Sequence, residues 1–307
     1  MEGWSVAFEL AELGSLGSGS DEVPVLVTSQ LGSVPARQLD PGFTGDAMEL
    51  LEPTRYQALN AAAVMAASAG DKAAQARFGP PYRHPQKIWG IGLNYRDHAQ
   101  DLAAPEPDEP ASFIKANHTI IGPNDPIVIP WQSGRVTAEA ELGIVIGRYC
   151  RNVAEEDALD YVFGVCPILD QTAEDILLRN PRFLTRAKNF PTFFSFGPTI
   201  IPLPKVLARY RELADIEVST VLNDQVVRAN RVGNMLFSVA TLISFHSQVM
   251  PLFPGDIIST GTPGAVPVRA GDIVECRLGT LATLRNPVVA EPGSEMRPRH
   301  TNSESGD

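Results

Sequence analysis

The sequence predicts an α+β protein in which a mainly β region, residues 83–290, follows a small N-terminal α/β domain, residues 1–82. Turn signals of the Gly-Asp or Asn-Asp type recur directly before β-branched runs, at residues 124–129, 255–258 and 271–274. The sequence contains neither a G-x-G-x-x-G motif after a strand nor a P-loop. The recurring turn-to-strand pattern therefore favours a rolled, partly closed sheet over a βαβ series.

The N-terminal domain carries its own local signals. Residues 23–28 can form a short strand. Residues 46–67 are rich in Ala, Leu, Met and Glu and are interrupted by Pro53, so they favour one or two helices. Gly79-Pro80-Pro81 then breaks the chain and marks the predicted domain boundary.

Helical segments are also predicted inside the β region, at residues 155–161, 173–179 and 233–250. The last of these has apolar residues at nearly helical spacing. Residues 291–307 are polar and contain Pro, Gly, Ser and Glu, so we expect a disordered tail there.

Composition excludes several classes of protein. With 25 basic and 36 acidic residues the net charge is -11, so the basic surface typical of nucleic-acid-binding proteins is absent. No apolar run approaches the roughly 20 residues of a membrane helix, and the N-terminus lacks a secretory signal, so a cytoplasmic location is predicted. The three cysteines form no C-x-x-C pair, which argues against a thiolate zinc site or a disulfide framework.

Two acidic motifs are candidates for metal binding. Residues 136–146 have the pattern of a strand, in which Glu139 and Glu141 point to the same face. Such a pair can be a solvated strand rim or can supply two ligands to a hard divalent cation. Asp170 closes the apolar run 162–169 and can be either a helix N-cap or a third ligand. Three carboxylates suit Mg²⁺, Mn²⁺ or Ca²⁺ better than zinc or copper.

Other side chains are candidates for acid–base and oxyanion chemistry. His98 and Asp101 are spaced i, i+3, so they form either a solvated surface pair or a general base with its orienting carboxylate. Lys188, among apolar and aromatic residues, can be a surface lysine or can stabilise an oxyanion or enolate. Lys115 is a weaker candidate for a substrate carboxylate. The loop 259–264 is either a hairpin loop or a backbone cradle for an anionic oxygen.

The order of these motifs along the chain is specific. They are Gly92-Leu93-Asn94-Tyr95 followed by His98, Phe113-Ile114-Lys115, Glu139-x-Glu141, Phe163-Gly164 leading to Asp170, Lys188, Asn223, Pro254-Gly255-Asp256-Ile257-Ile258 and Thr260-Gly261-Thr262-Pro263. In this order and spacing, over about residues 85–288, the sequence resembles the fumarylacetoacetate hydrolase family. The resemblance implies a mixed β-roll catalytic domain, usually within a homodimer or larger assembly.

The resemblance also implies roles for individual residues. His98 with its acidic neighbour Asp101 is expected to abstract a proton, and Lys188 is expected to bind an oxyanion or enolate. The implied metal is Mg²⁺ or Mn²⁺, with Ca²⁺ as a further option, on Glu139, Glu141 and Asp170. Substrate contacts are expected from Lys115, Tyr95, Thr260, Gly261 and Thr262.

The implied reaction is hydrolysis of a carbon–carbon bond in a 1,3-diketone or an acylpyruvate-type oxo-acid. His98 would deprotonate water, and the leaving carbon would depart as an enolate held by the metal and Lys188. Decarboxylation of a β-keto acid such as oxaloacetate, tautomerisation, and lyase or hydratase chemistry are alternatives on the same site. A catalytically silent metal-binding protein of the same fold is a further alternative. Specificity is expected to depend on the N-terminal domain and on residues 102–112 and 176–187.

Two positions depart from the family pattern. Asp101 stands where Glu is common, and Glu174 stands where many members have Arg. If that Arg steadies a substrate carboxylate, this protein uses another cation or takes a different substrate. Lys115, Arg96 and Arg186 are the possible substitutes.

Overall fold

A computed structural model describes five stretches of the chain: residues 10–17, 22–28, 32–67, 77–97 and 105–293. The predicted proton-abstracting pair, His98 and Asp101, lies outside these residues. The predicted disordered tail also lies outside them from residue 294 onward.

Strands dominate the described chain. They are β1 (Glu12–Leu16), β2 (Val23–Thr28), β3 (Gly32–Pro35), β4 (Ile88–Gly92), β5 (Ala111–Lys115), β6 (Ile120–Ile121), β7 (Ile127–Ile129), β8 (Val136–Ile146), β9 (Val162–Ala173), β10 (Phe194–Phe196), β11 (Thr199–Pro202), β12 (Glu217–Leu222), β13 (Gln225–Arg231), β14 (Ile257–Ser259), β15 (Val266–Val268), β16 (Ile273–Leu278) and β17 (Ala282–Ala290).

The helices are short. The α-helices are α1 (Ala36–Leu39), α2 (Pro53–Ala67), α3 (Glu174–Arg179), α4 (Leu184–Lys188), α5 (Leu203–Arg209) and α6 (Val239–Val249). Short 3-10 helices occupy Ala47–Leu51, Asn117–Thr119, Glu155–Tyr161, Pro181–Phe183, Leu213–Asp215 and Val232–Asn234. Among the described residues, no helix has both the length and the apolar composition that crossing a bilayer requires.

Two mixed sheets form the body of the protein. In the described chain, the larger sheet has 12 strands and a main path β3-β2-β1-β11-β9-β8-β14-β4-β5, to which β6, β10 and β15 attach. The smaller has the order β13-β12-β16-β17-β7. The pairs β4–β14, β6–β10 and β7–β17 are parallel, and the other pairs are antiparallel. The predicted α+β class with mixed sheets is confirmed.

The N-terminal strands extend the larger sheet. Strand β1 pairs with β11, so that Leu13 lies opposite Ile200. Side chains from residues 36–63, including Tyr56, share one buried cluster with Phe163 of β9. The Tyr56 and Phe163 rings meet edge to face with centroids 5.1 Å apart. The N-terminal residues thus pack directly behind the central strands, and the boundary at residue 82 stays a prediction.

The centre of the molecule is the antiparallel pair β8–β9, in which every residue is buried. Even-numbered residues of β8, such as Leu142 and Ile144, pack into the larger apolar cluster. The odd-numbered residues Glu139 and Glu141 lie on the opposite face, here named the site face, because side chains alternate along a strand. The predicted strand 136–146 and the shared face of the two glutamates are confirmed.

The structure excludes one of the two alternatives for Asp170, and one local prediction was wrong. Asp170 is not a helix N-cap, because β9 continues through Thr172 and Ala173, which pair with β8. The predicted helix 233–250 begins only at Val239, where the Ser238 hydroxyl caps it by accepting a bond from the Thr241 amide at 3.1 Å. In both cases hydrogen bonds decide where the element ends or begins, and hydrophobic periodicity carries no information about them.

Candidate metal centre and active site

Three carboxylates meet on the site face. Glu139 and Glu141 lie two residues apart on β8, and Asp170 of β9 stands directly opposite Glu139 in the antiparallel register. One oxygen from each group lies within 4.8 Å of the other two. All three side chains are buried. The structure therefore brings the three predicted metal ligands together.

Hydroxyl groups on the two central strands orient Glu139. Its Oε1 accepts hydrogen bonds from the Thr172 hydroxyl at 2.6 Å and from the Thr137 hydroxyl at 3.1 Å. Both threonines lie two residues from a carboxylate of the triad, so strand alternation places them on the same face. These bonds restrict the carboxylate to one orientation, as outer partners of a metal ligand commonly do.

The loop after β14 orients Glu141. Its Oε2 accepts from the Ser259 hydroxyl at 2.6 Å and from the Gly261 amide at 2.8 Å. Gly261 has a φ of +98°, and a Cβ atom there would lie 2.8 Å from the Cβ of Asn94. Glycine is therefore required at this position, both for the backbone conformation and for the close approach.

Two buried lysines contact the triad. Lys188 donates to Glu139 Oε2 at 2.7 Å and to Asp170 Oδ2 at 2.6 Å, and its Nζ lies 4.9 Å from the centre of the Phe113 ring. Lys115 donates to Asp170 Oδ1 and to the main-chain carbonyl of Lys188, each at 2.5 Å. Lys115 thus holds the triad and its neighbouring lysine in place.

The cluster is short of positive charge. Burial raises the pKa of Glu141 to about 8, and the neighbouring Asp170 carboxylate adds to this shift. Burial lowers the pKa of Lys188, but the charges of Asp170, Glu139 and Glu141 outweigh it and the pKa is raised overall. Burial lowers the pKa of Lys115 despite its bond to Asp170. If all three carboxylates were ionised, the two ammonium groups would leave an unbalanced negative charge, which is unfavourable in a buried site and accords with the raised pKa of Glu141.

The donor set fits a hard divalent cation. Carboxylate oxygens are the ligands that Mg²⁺, Mn²⁺ and Ca²⁺ prefer. Metal–oxygen distances of about 2.1 Å place ligand oxygens roughly 3 to 4 Å apart, so oxygens within 4.8 Å of one another need only small shifts to share one ion. A divalent charge also supplies the missing positive charge. The residues present therefore fit the metal that the sequence predicts.

Of the remaining predicted substrate contacts, only Thr262 lines the cleft described below, and the others are buried beside it or within the sheet. Tyr95 is buried, its hydroxyl has no hydrogen-bond partner among the described residues, and burial raises its pKa, with the Glu141 charge contributing. The Thr260 hydroxyl donates to the Leu142 carbonyl, so it supports the sheet. Thr262 lines the cleft described next, whereas Gly261 contacts Glu141 instead.

A cleft of about 400 Å³ opens beside the carboxylates. Glu139, Lys188 and Thr262 line it at the triad, and the rest of its wall is mainly apolar. Part of this wall is Leu93, whose φ of +56° is unusual for a bulky residue and costs about 1–3 kcal/mol. Backbone strain of this kind concentrates at functional sites. The volume suits a small organic molecule.

Sequence comparison identifies the family. The family model described as "Fumarylacetoacetate (FAA) hydrolase C-terminal" matches residues 87–289. This chain belongs to the fumarylacetoacetate hydrolase family. One relative, the mitochondrial oxaloacetate tautomerase of Xenopus laevis, is 36% identical over 218 residues, which cover 68% of this chain and 67% of that protein.

Solved structures of the family share the fold. The maleylpyruvate hydrolase of Sphingobium sp. SYK-6, solved with manganese(II) and pyruvate, matches with a TM-score of 0.74 and 28% identity over 91% of this chain and 99% of that one. The 5-carboxymethyl-2-hydroxymuconate delta-isomerase of Mycobacterium smegmatis matches with a TM-score of 0.67 and 29% identity, over 91% and 99% of the two chains. Members of this family are thus enzymes with hydrolase, isomerase or tautomerase activities.

Glu174, the residue that departs from the family pattern, belongs to the cleft. It begins α3, four residues after Asp170, and is only 8% exposed. Its carboxylate forms an ion pair with Arg135, whose side chain is 56% exposed. The acidic group therefore lies on the wall of the cleft and its cationic partner lies toward solvent.

The suggested substitutes for the family arginine lie elsewhere. Lys115 is committed to Asp170, and Arg96 forms an exposed ion pair with Glu106 at 3.2 Å. Arg186 is exposed on α4. Among the described residues that line the cleft, Lys188 is the only Lys or Arg.

Sequence reasoning missed several residues of the site. Thr172, Thr137 and Ser259 orient the glutamates, and Asn94 donates to the Thr260 carbonyl at 2.8 Å and accepts from the Phe237 amide at 2.8 Å. Strand alternation would have found the two threonines, which lie i±2 from a triad member. Ser259 carried no comparable signal, because its contact depends on the pairing of β14 with β8.

Proposed function

We propose that this protein is a divalent-metal-dependent hydrolase that cleaves a carbon–carbon bond in a 1,3-diketone or an acylpyruvate-type oxo-acid. The observation that carries the proposal is the buried triad Glu139, Glu141 and Asp170, of which Glu139 lines a cleft together with Lys188. Family membership and the likeness to a maleylpyruvate hydrolase that binds manganese(II) and pyruvate support it.

Mg²⁺ or Mn²⁺ is the expected cofactor, with Ca²⁺ as a further option, and the three carboxylates would hold it. When bound, the ion supplies positive charge that polarises the adjacent oxygens of a 2-oxo acid and stabilises negative charge developing there. Lys188 adds a fixed cation on the same side of the cleft. Because its bonds to Glu139 and Asp170 fix the ammonium group, little reorganisation is needed as charge develops on the substrate.

We assign proton transfer to His98, oriented by Asp101, which follow the cleft-lining turn at Gly92 and Leu93 in the sequence. The imidazole takes a proton from water, and the hydroxide attacks the distal carbonyl carbon. The electron pair of the broken carbon–carbon bond passes to the carbon next to the 2-oxo group, which then accepts the proton. The products are a carboxylic acid and pyruvate or its analogue.

Acylpyruvate cleavage after metal removal tests this function. Pyruvate release from acetylpyruvate is expected to need Mg²⁺ or Mn²⁺, to stop with EDTA and to return when the metal is restored. Glu141→Gln is expected to lower both the activity and the calorimetric affinity for Mn²⁺ by at least a hundredfold, because it removes a charged ligand. Glu156→Gln, at an exposed glutamate, is the matched control. Full activity after chelation or in Glu141→Gln would falsify the metal role.

A second candidate is tautomerisation of a β-keto acid such as oxaloacetate, which the likeness to the Xenopus laevis oxaloacetate tautomerase supports, or decarboxylation of such an acid. Both reactions use the same stabilised enolate without attack by water. His98→Ala separates the candidates: hydrolysis should collapse, whereas metal-driven decarboxylation should survive. His84→Ala, at an exposed histidine, is the control.

Assembly and location also remain proposals. We expect a homodimer, as the family resemblance implies, and a cytoplasmic enzyme acting on small oxo-acids without nucleic-acid or membrane partners. Light scattering coupled to size-exclusion chromatography tests the dimer, since a mass of 33.1 kDa for the whole population would contradict it.

A further inference from the structure

Beyond the triad, the wall of the cleft is apolar. Helices α3 and α4 and the turn between them contribute Leu177, Pro181 and Leu184, and the opposite wall includes Leu93 and Phe113. Carbon-rich side chains continue to the protein surface, where Leu178 is 67% exposed. A wall of this composition gains free energy only by covering apolar parts of a ligand.

The polar exceptions are unsuited to a second anion. Glu174 lines the cleft, and Glu139 and Lys188 belong to the metal centre. The hydroxyls of the remaining polar residues, Thr172 and Thr262, already donate to Glu139 and to the Gly264 carbonyl. A distal carboxylate in this cleft would therefore meet a like charge and no free cation from these groups.

We infer that the substrate is a 2-oxo acid whose distal acyl group is uncharged and apolar, and that Glu174 excludes substrates with a second carboxylate there. This inference rests on the proposed function, because it places the 2-oxo acid end at the metal centre. In this cleft the triad binds the 2-oxo acid end that all such substrates share, and α3 and α4 select the distal acyl group, here called the tail.

Glu174 is held in this role by its ion pair. Arg135 bonds the carboxylate from the solvent side and does not itself line the cleft. The remaining neighbours of Glu174 in the cleft wall, Leu177 and Leu178, cannot solvate an anion. Because Glu174 lines the cleft and the guanidinium lies toward solvent, a ligand group at this wall is nearer to the negative end of the ion pair than to the positive end.

A matched series of acylpyruvates tests the tail. From acetyl- to propanoyl-, butanoyl- and pentanoylpyruvate, kcat/KM is expected to rise about fourfold per buried methylene. Succinylpyruvate, which is close in length to pentanoylpyruvate but ends in a carboxylate, is expected to react about a hundredfold more slowly than it. Equal rates for these two substrates would overturn the inference.

Variants of the cleft wall test which residues discriminate between a charged and an apolar tail. Glu174→Gln should raise the ratio of kcat/KM for succinylpyruvate to kcat/KM for pentanoylpyruvate about tenfold, because the lost carboxylate repels only the charged tail. Leu184→Ala should reduce kcat/KM for pentanoylpyruvate more than for acetylpyruvate. Leu159→Ala, at an exposed leucine remote from the cleft wall, is the control and should change neither. An unchanged preference in Glu174→Gln contradicts the role of that residue.

Binding gives a readout that does not depend on turnover. With Mn²⁺ present, calorimetry should show that 2-oxohexanoate binds more tightly than pyruvate and that 2-oxoglutarate binds more weakly than 2-oxohexanoate by at least tenfold. If pyruvate itself does not bind, the proposed function fails and this inference fails with it. If pyruvate binds but 2-oxoglutarate equals 2-oxohexanoate, the tail assignment alone is wrong.

Discussion

The two faces of the central strand β8 differ in what they contribute, although alternate residues of one chain segment build them. The face with Leu142 and Ile144 packs entirely against apolar side chains. The site face carries Glu139 and Glu141, and buried donors hold both groups. The apolar face stabilises the folded state, whereas burying the charged groups of the site face away from water costs part of that free energy.

Asp170→Asn should have the largest effect. It removes a metal ligand, breaks the ion pair between Asp170 and Lys115, and leaves Lys188 paired with Glu139 alone among the described carboxylates. Activity is expected to fall at least a thousandfold, and breaking a buried pair typically lowers the free energy of unfolding by about 3–5 kcal/mol. Activity assays and urea denaturation of the metal-free protein measure the two effects.

Asp157→Asn, at an exposed aspartate, is the control and should change the activity and the free energy of unfolding only slightly. If the free energy of unfolding of Asp170→Asn equalled that of the wild type, the charge pairs of the site face would contribute nothing to stability. The difference described between the two faces would then be contradicted.

Leu142→Ala tests the apolar face. Leu142 is fully buried in the larger cluster, so its truncation is expected to cost about 2–5 kcal/mol of unfolding free energy. Mn²⁺ affinity of the folded protein should stay within about threefold, because Leu142 points away from the carboxylates. A large loss of affinity without loss of stability would mean that the two faces are not separable.

Gly261→Ala sharpens the account of the site face. It places a Cβ atom 2.8 Å from that of Asn94 and disturbs the amide that bonds Glu141. The expected cost is about 1–3 kcal/mol of stability, with weaker Mn²⁺ binding. Gly271→Ala is a close control, since Gly271 has nearly the same φ, +97°, with open space around it. Equal effects in both variants would reduce the role of Gly261 to backbone conformation.

Thr172→Val should have the smallest effect. It removes the 2.6 Å bond to Glu139 while preserving shape, and loss of such an outer partner commonly weakens metal affinity about 10- to 100-fold. Thr220→Val is the control, because the buried hydroxyl of Thr220 has no partner in the described structure and its loss should be neutral or stabilising. Unchanged Mn²⁺ affinity in Thr172→Val would contradict the orienting role.

Much of the fold was predictable where local rules suffice. The strand 136–146 and the helix around residues 155–161 follow from alternation and composition, and the structure confirms both. The turn before β16 was equally readable, because Gly-Asp fixes a local backbone conformation. The start of α6 could not be predicted in this way, because it depends on the single hydrogen bond by which the Ser238 hydroxyl caps the helix.

The N-terminal region illustrates a different limit. Of its strands the sequence predicted only β2, at residues 23–28, and composition gave no sign that β1 would form or would pair with β11, nearly 190 residues later. Such a pairing depends on the hydrogen-bonding edge that the larger sheet leaves open, and this edge exists only once the central strands have assembled.

The sequence by itself determined the chemistry of the candidate site. It supplied three acids suited to a divalent metal, and the alternation of a strand put Glu139 and Glu141 on one face. Only the tertiary structure decided that Asp170 stands opposite Glu139, that Lys115 holds the triad, and that Glu174 borders an apolar cleft. The physical reason is range: alternation acts over two residues, whereas strand register and side-chain packing join groups that are dozens of residues apart.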